Sequence, residues 1–434
     1  MDFDKSRRVN VPEPSSYKRR WRQILPVAFV MYIISYVDRT NIALALQSMV
    51  SGLRLDPAAA GSAAGVFFWG YILLQIPGGY LAQRWSAKKV VSILLVFWGA
   101  CAVATGLIAS GWQFWVMRLL LGVAEGGVFP ATIILLANWF PPAERARANA
   151  YWMLCQPLAI VVSSPLSGWI LGRWDWRVLL IVEGALPFLW LWVWNAVIED
   201  HPASTLGSSV QEGNDPPARA PVLSSGSGRS SDQSLLRSLT NPRISILIAV
   251  CFCLNFGGYG YLFWLPTALA SARKIPASFL GVLFAVPYLL AGVGMVINSR
   301  HSDKKQERRL HVAIPLVLGG CMLLAGVLAS SNHPYVSFIA ICLAGASFYS
   351  CMGPLWAIPT ECLCEESAGA AAGLVNAVGN LGGYVGPMLV GTLNQRTGNF
   401  RMAFTVLSAS LIFGGVITLL LRLNPSSKRP FAHI

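Results

Sequence analysis

Charge is what this chain has least of. Of 434 residues only 12% are Asp, Glu, Lys or Arg, roughly half the share of an ordinary soluble domain. A large soluble protein with a greasy core is therefore a poor reading. Histidine is scarce too. The five present (His201, His301, His311, His333, His433) all fall outside the middles of apolar runs, which removes the usual ligands of a membrane haem. The nine cysteines show no metal-ligand spacing. Cys251 and Cys253, two apart, face different sides of a helix. A nucleophile constellation and a phosphate-binding loop are also missing, so neither a cofactor nor an enzymatic activity is expected. A cleavable leader is not expected either, because the basic start runs straight into a full-length apolar run and not into a short one with a small-residue cleavage site.

What fills the chain is apolar sequence, 55% hydrophobic by residue. A helix that spans a bilayer needs about 20 mostly apolar residues. Twelve segments meet that need: 24–48, 60–82, 89–109, 112–138, 147–171, 178–198, 243–269, 278–298, 312–330, 335–357, 367–392 and 402–422. The expectation is an all-α membrane protein of twelve transmembrane helices in two six-helix pseudo-repeats. Residues 1–23 form a tail, 24–198 the first bundle, 199–242 a linker, 243–422 the second bundle and 423–434 a second tail. Residues 202–234, rich in Ser, Pro and Gly, hold too little apolar surface to fold, so the linker is expected to be largely disordered.

The net charge of +14 raises the question of nucleic acid, and its placement answers it. With both termini in the cytoplasm, 24 Lys and Arg fall in cytoplasmic segments and 7 in outer loops, while Arg39 and Arg118 complete the 33. That asymmetry reports topology, so no nucleic-acid partner is expected. A multi-pass protein of the inner (plasma) membrane is, acting as a monomer in the lipid bilayer. The loop from Glu361 to Glu366 is acidic where basic residues are expected.

The halves echo each other. Arg84-Trp85-Ser86-Ala87-Lys88-Lys89 follows the second span, and Arg300-His301-Ser302-Asp303-Lys304-Lys305 follows the eighth, 216 residues on. Pro165…Leu171 recurs as Pro387…Leu393 after 222. Repeated halves with a site between them are the architecture of alternating-access carriers.

Inside the spans stand two acids and two arginines. An ionisable side chain at membrane depth costs several kcal/mol and is normally kept for an ion or substrate path. Asp38 lies roughly 20 Å along the first span at 1.5 Å per residue, and Arg118 lies roughly 10 Å below the outer face in the inward-running fourth. In a core about 30 Å thick these depths coincide, so an Asp38–Arg118 pair is expected. Glu125, seven residues on from Arg118, shares its face two turns deeper. A static pair that only fixes helix packing would account for two of the four charges. Arg39 is the best anion ligand, since its planar fork suits a carboxylate and stays charged. Glu183, near the outer end of the sixth span, reads as a solvated rim residue.

With these residues on the page the chain resembles the major facilitator superfamily. Gly78 through Lys89 matches its loop between spans two and three, except that Gln83 stands where the motif has Asp. More narrowly it looks like the anion:cation symporter family of sugar-acid, tartrate and phthalate carriers. The resemblance is carried by Tyr36-Val37-Asp38-Arg39-Thr40-Asn41, Arg118 through Gly126, Trp174-Asp175-Trp176-Arg177, Arg300-His301-Ser302-Asp303 with Glu307-Arg308-Arg309, and Asn376 through Gly386. It implies that Arg39 holds the substrate carboxylate, that Asp38 and Glu125 carry protons, with Arg118 coupled to them, and that Tyr71, Gln156, Trp356 and Asn376 line the substrate site. The implied function is proton-coupled uptake of a small organic anion, a hydroxylated sugar acid or similar monocarboxylate, by alternating access. The alternative is a proton/drug antiporter that exports amphiphiles; against it, Ser163-Ser164-Pro165-Leu166-Ser167-Gly168 matches the glycine-rich exporter signature only in part.

Overall fold

The computed structural model describes residues 18–202, 242–272, 275–330, 332–362 and 373–421. Among these every regular element is helical. Eleven helices are long and apolar enough to cross a membrane. Six precede the linker: α1 (Arg20–Leu53), α2 (Pro57–Arg84), α3 (Ala87–Thr105), α4 (Gly111–Trp139), α5 (Arg147–Arg173) and α6 (Trp176–Val197). Five follow it: α7 (Pro242–Ala270), α8 (Ala277–Lys305), α9 (Arg309–Ala329), α10 (Pro334–Ile358) and α12 (Arg401–Thr418). The segment expected at 367–392 begins outside the described residues. It continues as helix over 373–379 and, after a break at Asn380, as α11 (Leu381–Thr397). Most of the linker, both tail ends and most of the acidic loop also lie outside the described residues.

Local chemistry sets the helix starts. Asp56 accepts the Ala59 N–H at 2.7 Å, Ser86 that of Lys89 at 3.0 Å, and Asp175 those of Arg177 and Val178. Each satisfies amides that a first helical turn leaves unpaired. Gly398 ends α11 at φ +70°, a conformation that suits glycine.

The two halves share one packing plan. In the first, α2 packs on α4, α3 on α4 and α6, and α1 on α5 and α6. In the second, α8 packs on α10, α9 on α10 and α12, and α7 on α11 and α12. These are the same five pairs shifted by six helices, so the repeat read in the sequence holds at the level of contacts. Between halves α1 meets α7, α2 meets α11 and α5 meets α8.

The inter-half contacts are closest at the end of the bundle that carries the Arg54–Asp56 and Trp174–Asp175 turns, called distal below. A Cβ on Gly61 would strike the Pro387 carbonyl, one on Gly391 that of Pro57, and one on Gly281 that of Ser164. Large apolar side chains face outward around the bundle, Ile76 72% and Trp192 80% exposed among them, as a lipid-facing surface requires.

At the opposite, proximal end, the loop after α2 is docked by Asp200, which accepts from Ser86 Oγ and from Lys88 N–H. The acid absent at Gln83 is thus supplied from beyond α6. The echoed sequence in the second half is built differently: Ser302 lies inside α8, and Asp303 pairs with Arg308.

Candidate functional site

Where the halves part, on the proximal side of the distal contacts, they line an open cavity of about 520 Å³. Arg39, Tyr71, Gln156, Trp356 and Asn376, taken from five different helical segments, all line it. Tyr32, Tyr36, Phe129 and Tyr259 add aromatic surface, and Asn255 and Asn380 add carboxamides.

The glycines beside the charged residues explain how Arg39 reaches this wall. In Gly122-Val123-Ala124-Glu125-Gly126, a Cβ on either glycine would strike the Phe67 or Tyr71 carbonyl. Glycine lets α4 and α2 close, and Tyr71 is thereby brought to Arg39. The Arg39 guanidinium lies over the rings of Tyr36, Phe67 and Tyr71 at 4.8, 4.9 and 4.9 Å. Cation–π contact of this kind stabilises a cation that has left water.

Arg39 does not stand alone. Its Nη2 donates to Glu125 Oε2 at 2.9 Å, and Ser35 Oγ donates to the same oxygen at 2.8 Å. Both partners are buried, Arg39 at 3% exposure and Glu125 at 1%. The Arg39 Nε and Glu125 Oε1 have no hydrogen-bond partner among the described residues. The pair is therefore held by one hydrogen bond between the two side chains, with spare capacity on both members.

The expected Asp38–Arg118 pair is not what forms. Asp38 turns to α3, where its Oδ2 accepts Trp98 Nε1 at 2.6 Å, and its Oδ1 is approached by Asn41 Nδ2 at 3.5 Å. Arg118 donates to the Ala64 carbonyl at 3.4 Å and rests 4.8 Å from the Phe67 ring. Its Nε and Nη1 are unpartnered, and no carboxylate among the described residues stands within ion-pair distance of it. The reason is rotation about the helix axis: Asp38 and Arg39 are successive residues about 100° apart on a helix, and it is Arg39 that meets α4.

Across the cavity the second half contributes neutral polar groups. Asn255 Nδ2 donates to Asn380 Oδ1 at 3.4 Å and Asn380 Nδ2 to Asn376 Oδ1 at 3.2 Å. Asn255 and Asn380 escaped the sequence reading. The signal for Asn380 was its place one turn after Asn376 on the same face. Tyr36 sat inside the motif that named its neighbours. Glu183 also departs from expectation: it is buried, 2% exposed, and accepts from Ser167 Oγ at 2.6 Å.

Taken together, Arg39 is, among the described residues, the one cation on a cavity wall of tyrosines, carboxamides and apolar side chains. Such a wall can bind one carboxylate, provided that Glu125 yields.

Comparison with known proteins agrees with this architecture. Residues 28–387 match the Major Facilitator Superfamily. A quinolone resistance transporter of Acinetobacter baumannii is 30% identical over 432 residues, covering 96% of this chain and 95% of that protein. A candidate tartrate transporter of Agrobacterium vitis is 30% identical over 408 residues, covering 92% and 89%. Among solved structures, a bacterial homolog of the human lysosomal transporter Spinster, inward-facing and occupied, superposes with a TM-score of 0.76 at 17% identity, covering 93% and 97%.

Proposed function

The chain belongs to the Major Facilitator Superfamily as a multi-pass membrane transporter, and from that premise we propose that it takes up a small organic monocarboxylate together with protons. The observation that carries the reading is the Arg39–Glu125 ion pair behind the cavity wall.

The coupling follows from charge. In the empty carrier Glu125 satisfies Arg39. A substrate carboxylate needs the same guanidinium, and two anions on one arginine in a buried site repel each other. Protonating Glu125 removes the competitor and frees Arg39 for the substrate. The loaded site then holds one cation and one carboxylate, as the empty one did, so the closed carrier crosses between its two facing states with no unpaired charge at that point. One proton thus accompanies one carboxylate.

A single cation on the wall among the described residues supports one carboxylate over two. Asn255, Asn376, Asn380 and Gln156 offer donors and acceptors for hydroxyls, which supports a hydroxylated sugar acid. The candidate tartrate carrier among the relatives supports an organic acid. Export of amphiphilic compounds in exchange for protons is the second reading. The aromatic lining favours it, as does the relative named for quinolone resistance.

A thermal-shift screen of the purified protein against organic acids identifies the ligand. Uptake of the best acid into proteoliposomes, with and without an inwardly directed proton gradient, then tests the reading. Accumulation above equilibrium under the gradient is expected. A gradient that instead drives that compound out of the internal space, or has no effect on it, overturns the proposal.

A further inference from the structure

Glu183 has no part in the site just described, and it lies outside the cavity lining. It is nevertheless among the most deeply buried carboxyls of the chain, 2% exposed. Its Oε1 accepts from Ser167 Oγ of α5 at 2.6 Å, while its Oε2 has no hydrogen-bond partner among the described residues. No Lys, Arg or His among the described residues stands within ion-pair distance. Arg177, on the same helix, donates to the Ile108 carbonyl at 3.2 Å and lies 3.9 Å from Asp175.

From α1 the carboxamide of Asn41 faces Glu183. The same carboxamide approaches Asp38 at 3.5 Å, and Asp38 and Glu183 are near enough for their charges to act on one another. The other side chains that hydrogen-bond to them are neutral: Trp98 from α3 and Ser167 from α5. Arg118 and Glu125 on α4 act on Asp38 only across space.

Two carboxyls therefore flank one carboxamide in a buried, apolar setting. The hydrogen bonds reaching them come from three neutral donors: Trp98 Nε1, Asn41 Nδ2 and Ser167 Oγ. Two acceptors, Glu183 Oε2 and Asn41 Oδ1, are left without a donor. An unpaired buried carboxylate is strongly disfavoured, and two near each other more so. One added proton supplies both the missing donor and the missing neutralisation.

We propose that Asp38, Asn41 and Glu183 form a second proton-holding site in the first half, separate from the Arg39–Glu125 pair. The pair of carboxyls holds one proton between them, and Glu183 is its outer member. The site adds to the proton-coupled reading above, yet it is defined by proton binding alone, so its test needs neither substrate nor gradient.

The experiment is infrared spectroscopy of the purified full-length protein across a pH series, reading the carbonyl band of protonated carboxyls. Glu183→Gln should remove one protonated-carboxyl band from the wild-type pH series. Gln keeps the shape and can still accept from Ser167. Asp38→Asn removes the neighbouring charge, and should move the remaining Glu183 titration to lower pH. Ser167→Ala removes a donor to the ionised form, and should move it to higher pH; this variant keeps both carboxyls in place if Glu183→Gln folds poorly. A band unchanged by Glu183→Gln, or a Glu183 titration indifferent to Asp38→Asn, overturns the proposal. Either result leaves the organic-anion reading standing, because that reading rests on Arg39 and Glu125.

Discussion

Arg39 Nη2 and Glu125 Oε2 meet at 2.9 Å across the contact between α1 and α4, with the arginine on the cavity wall and the carboxylate behind it. This places the anion ligand and its competitor in one hydrogen bond. Binding of a carboxylate and binding of a proton then become parts of one exchange, and the following expectations derive from it.

Substrate affinity should fall as pH rises. Ionised Glu125 competes for the guanidinium and protonated Glu125 does not, so the loss appears on the alkaline side. Isothermal titration of the best acid at several pH values checks this. Affinity that rises with pH would mean that Glu125 leaves Arg39 for some other reason.

Arg39→Lys should lose most of that affinity. A lysine ammonium keeps the charge but not the planar fork that takes a carboxylate by two parallel bonds. It also gives up the flat guanidinium contact with Tyr36, Phe67 and Tyr71. A loss of tenfold or more, equivalent to about 1.4 kcal/mol, is expected in equilibrium binding, with the variant still folded by circular dichroism. Affinity near that of the wild type would remove Arg39 from the binding role.

Glu125→Gln fixes the neutral state. It should bind substrate with little pH dependence and support exchange of labelled for unlabelled substrate. It should not accumulate substrate under a proton gradient. Proteoliposome counterflow and gradient-driven uptake measured side by side separate these. Concentrative uptake by the variant would take Glu125 out of the proton path.

The extent to which this was legible in sequence divides along a physical line. Composition and apolar run length marked the helices that can span a membrane, and five residues expected to line a site converge on one cavity from segments far apart in the chain. Rotation about a helix axis was not legible. Asp38 and Arg39 are successive residues of α1, and only the rotation of that helix, set by its packing on α5 and α6, decides that Asp38 meets Trp98 of α3 while Arg39 meets Glu125 of α4. Glu183 was misjudged for a related reason: position along a span says nothing of the α5 serine that covers it. The interruption at Asn380 was hidden because the glycines around it suit close packing and bending equally well.

Partner exchange between the four charges has a thermodynamic signature. Removing one member of a buried ion pair leaves the other uncompensated, typically costing about 3–5 kcal/mol. Arg39→Gln and Glu125→Gln should each destabilise, and the double variant should lose much less than the sum. Asp38→Asn and Arg118→Gln should instead couple more weakly than that pair, because the two residues have different hydrogen-bond partners here and act on each other only across space. Unfolding of both cycles in one detergent provides the comparison. Strong coupling between Asp38 and Arg118 would place them in contact in the dominant state in solution.

The last expectation concerns the distal closure. Gly168 of α5 and Gly281 of α8 face each other, and a Cβ on Gly281 would run into the Ser164 carbonyl. Backbone cannot turn aside as a flexible side chain can, so Gly281→Val has to push α5 and α8 apart at that end. The overlap disappears when the distal end opens, so the substitution should favour the oppositely facing state. Shifting such an equilibrium from 1:99 to 99:1 takes about 5.5 kcal/mol, and a backbone clash contributes toward that without any ligand. Spin labels at Trp169 and Phe279, both exposed on these helices, report the separation in a cysteine-free background. The distance should lengthen in Gly281→Val, and proton-driven uptake should fall because the carrier no longer closes distally. A distance distribution identical to that of the parent would show that α5 and α8 absorb the valine locally, and the closure at this end would then not depend on glycine.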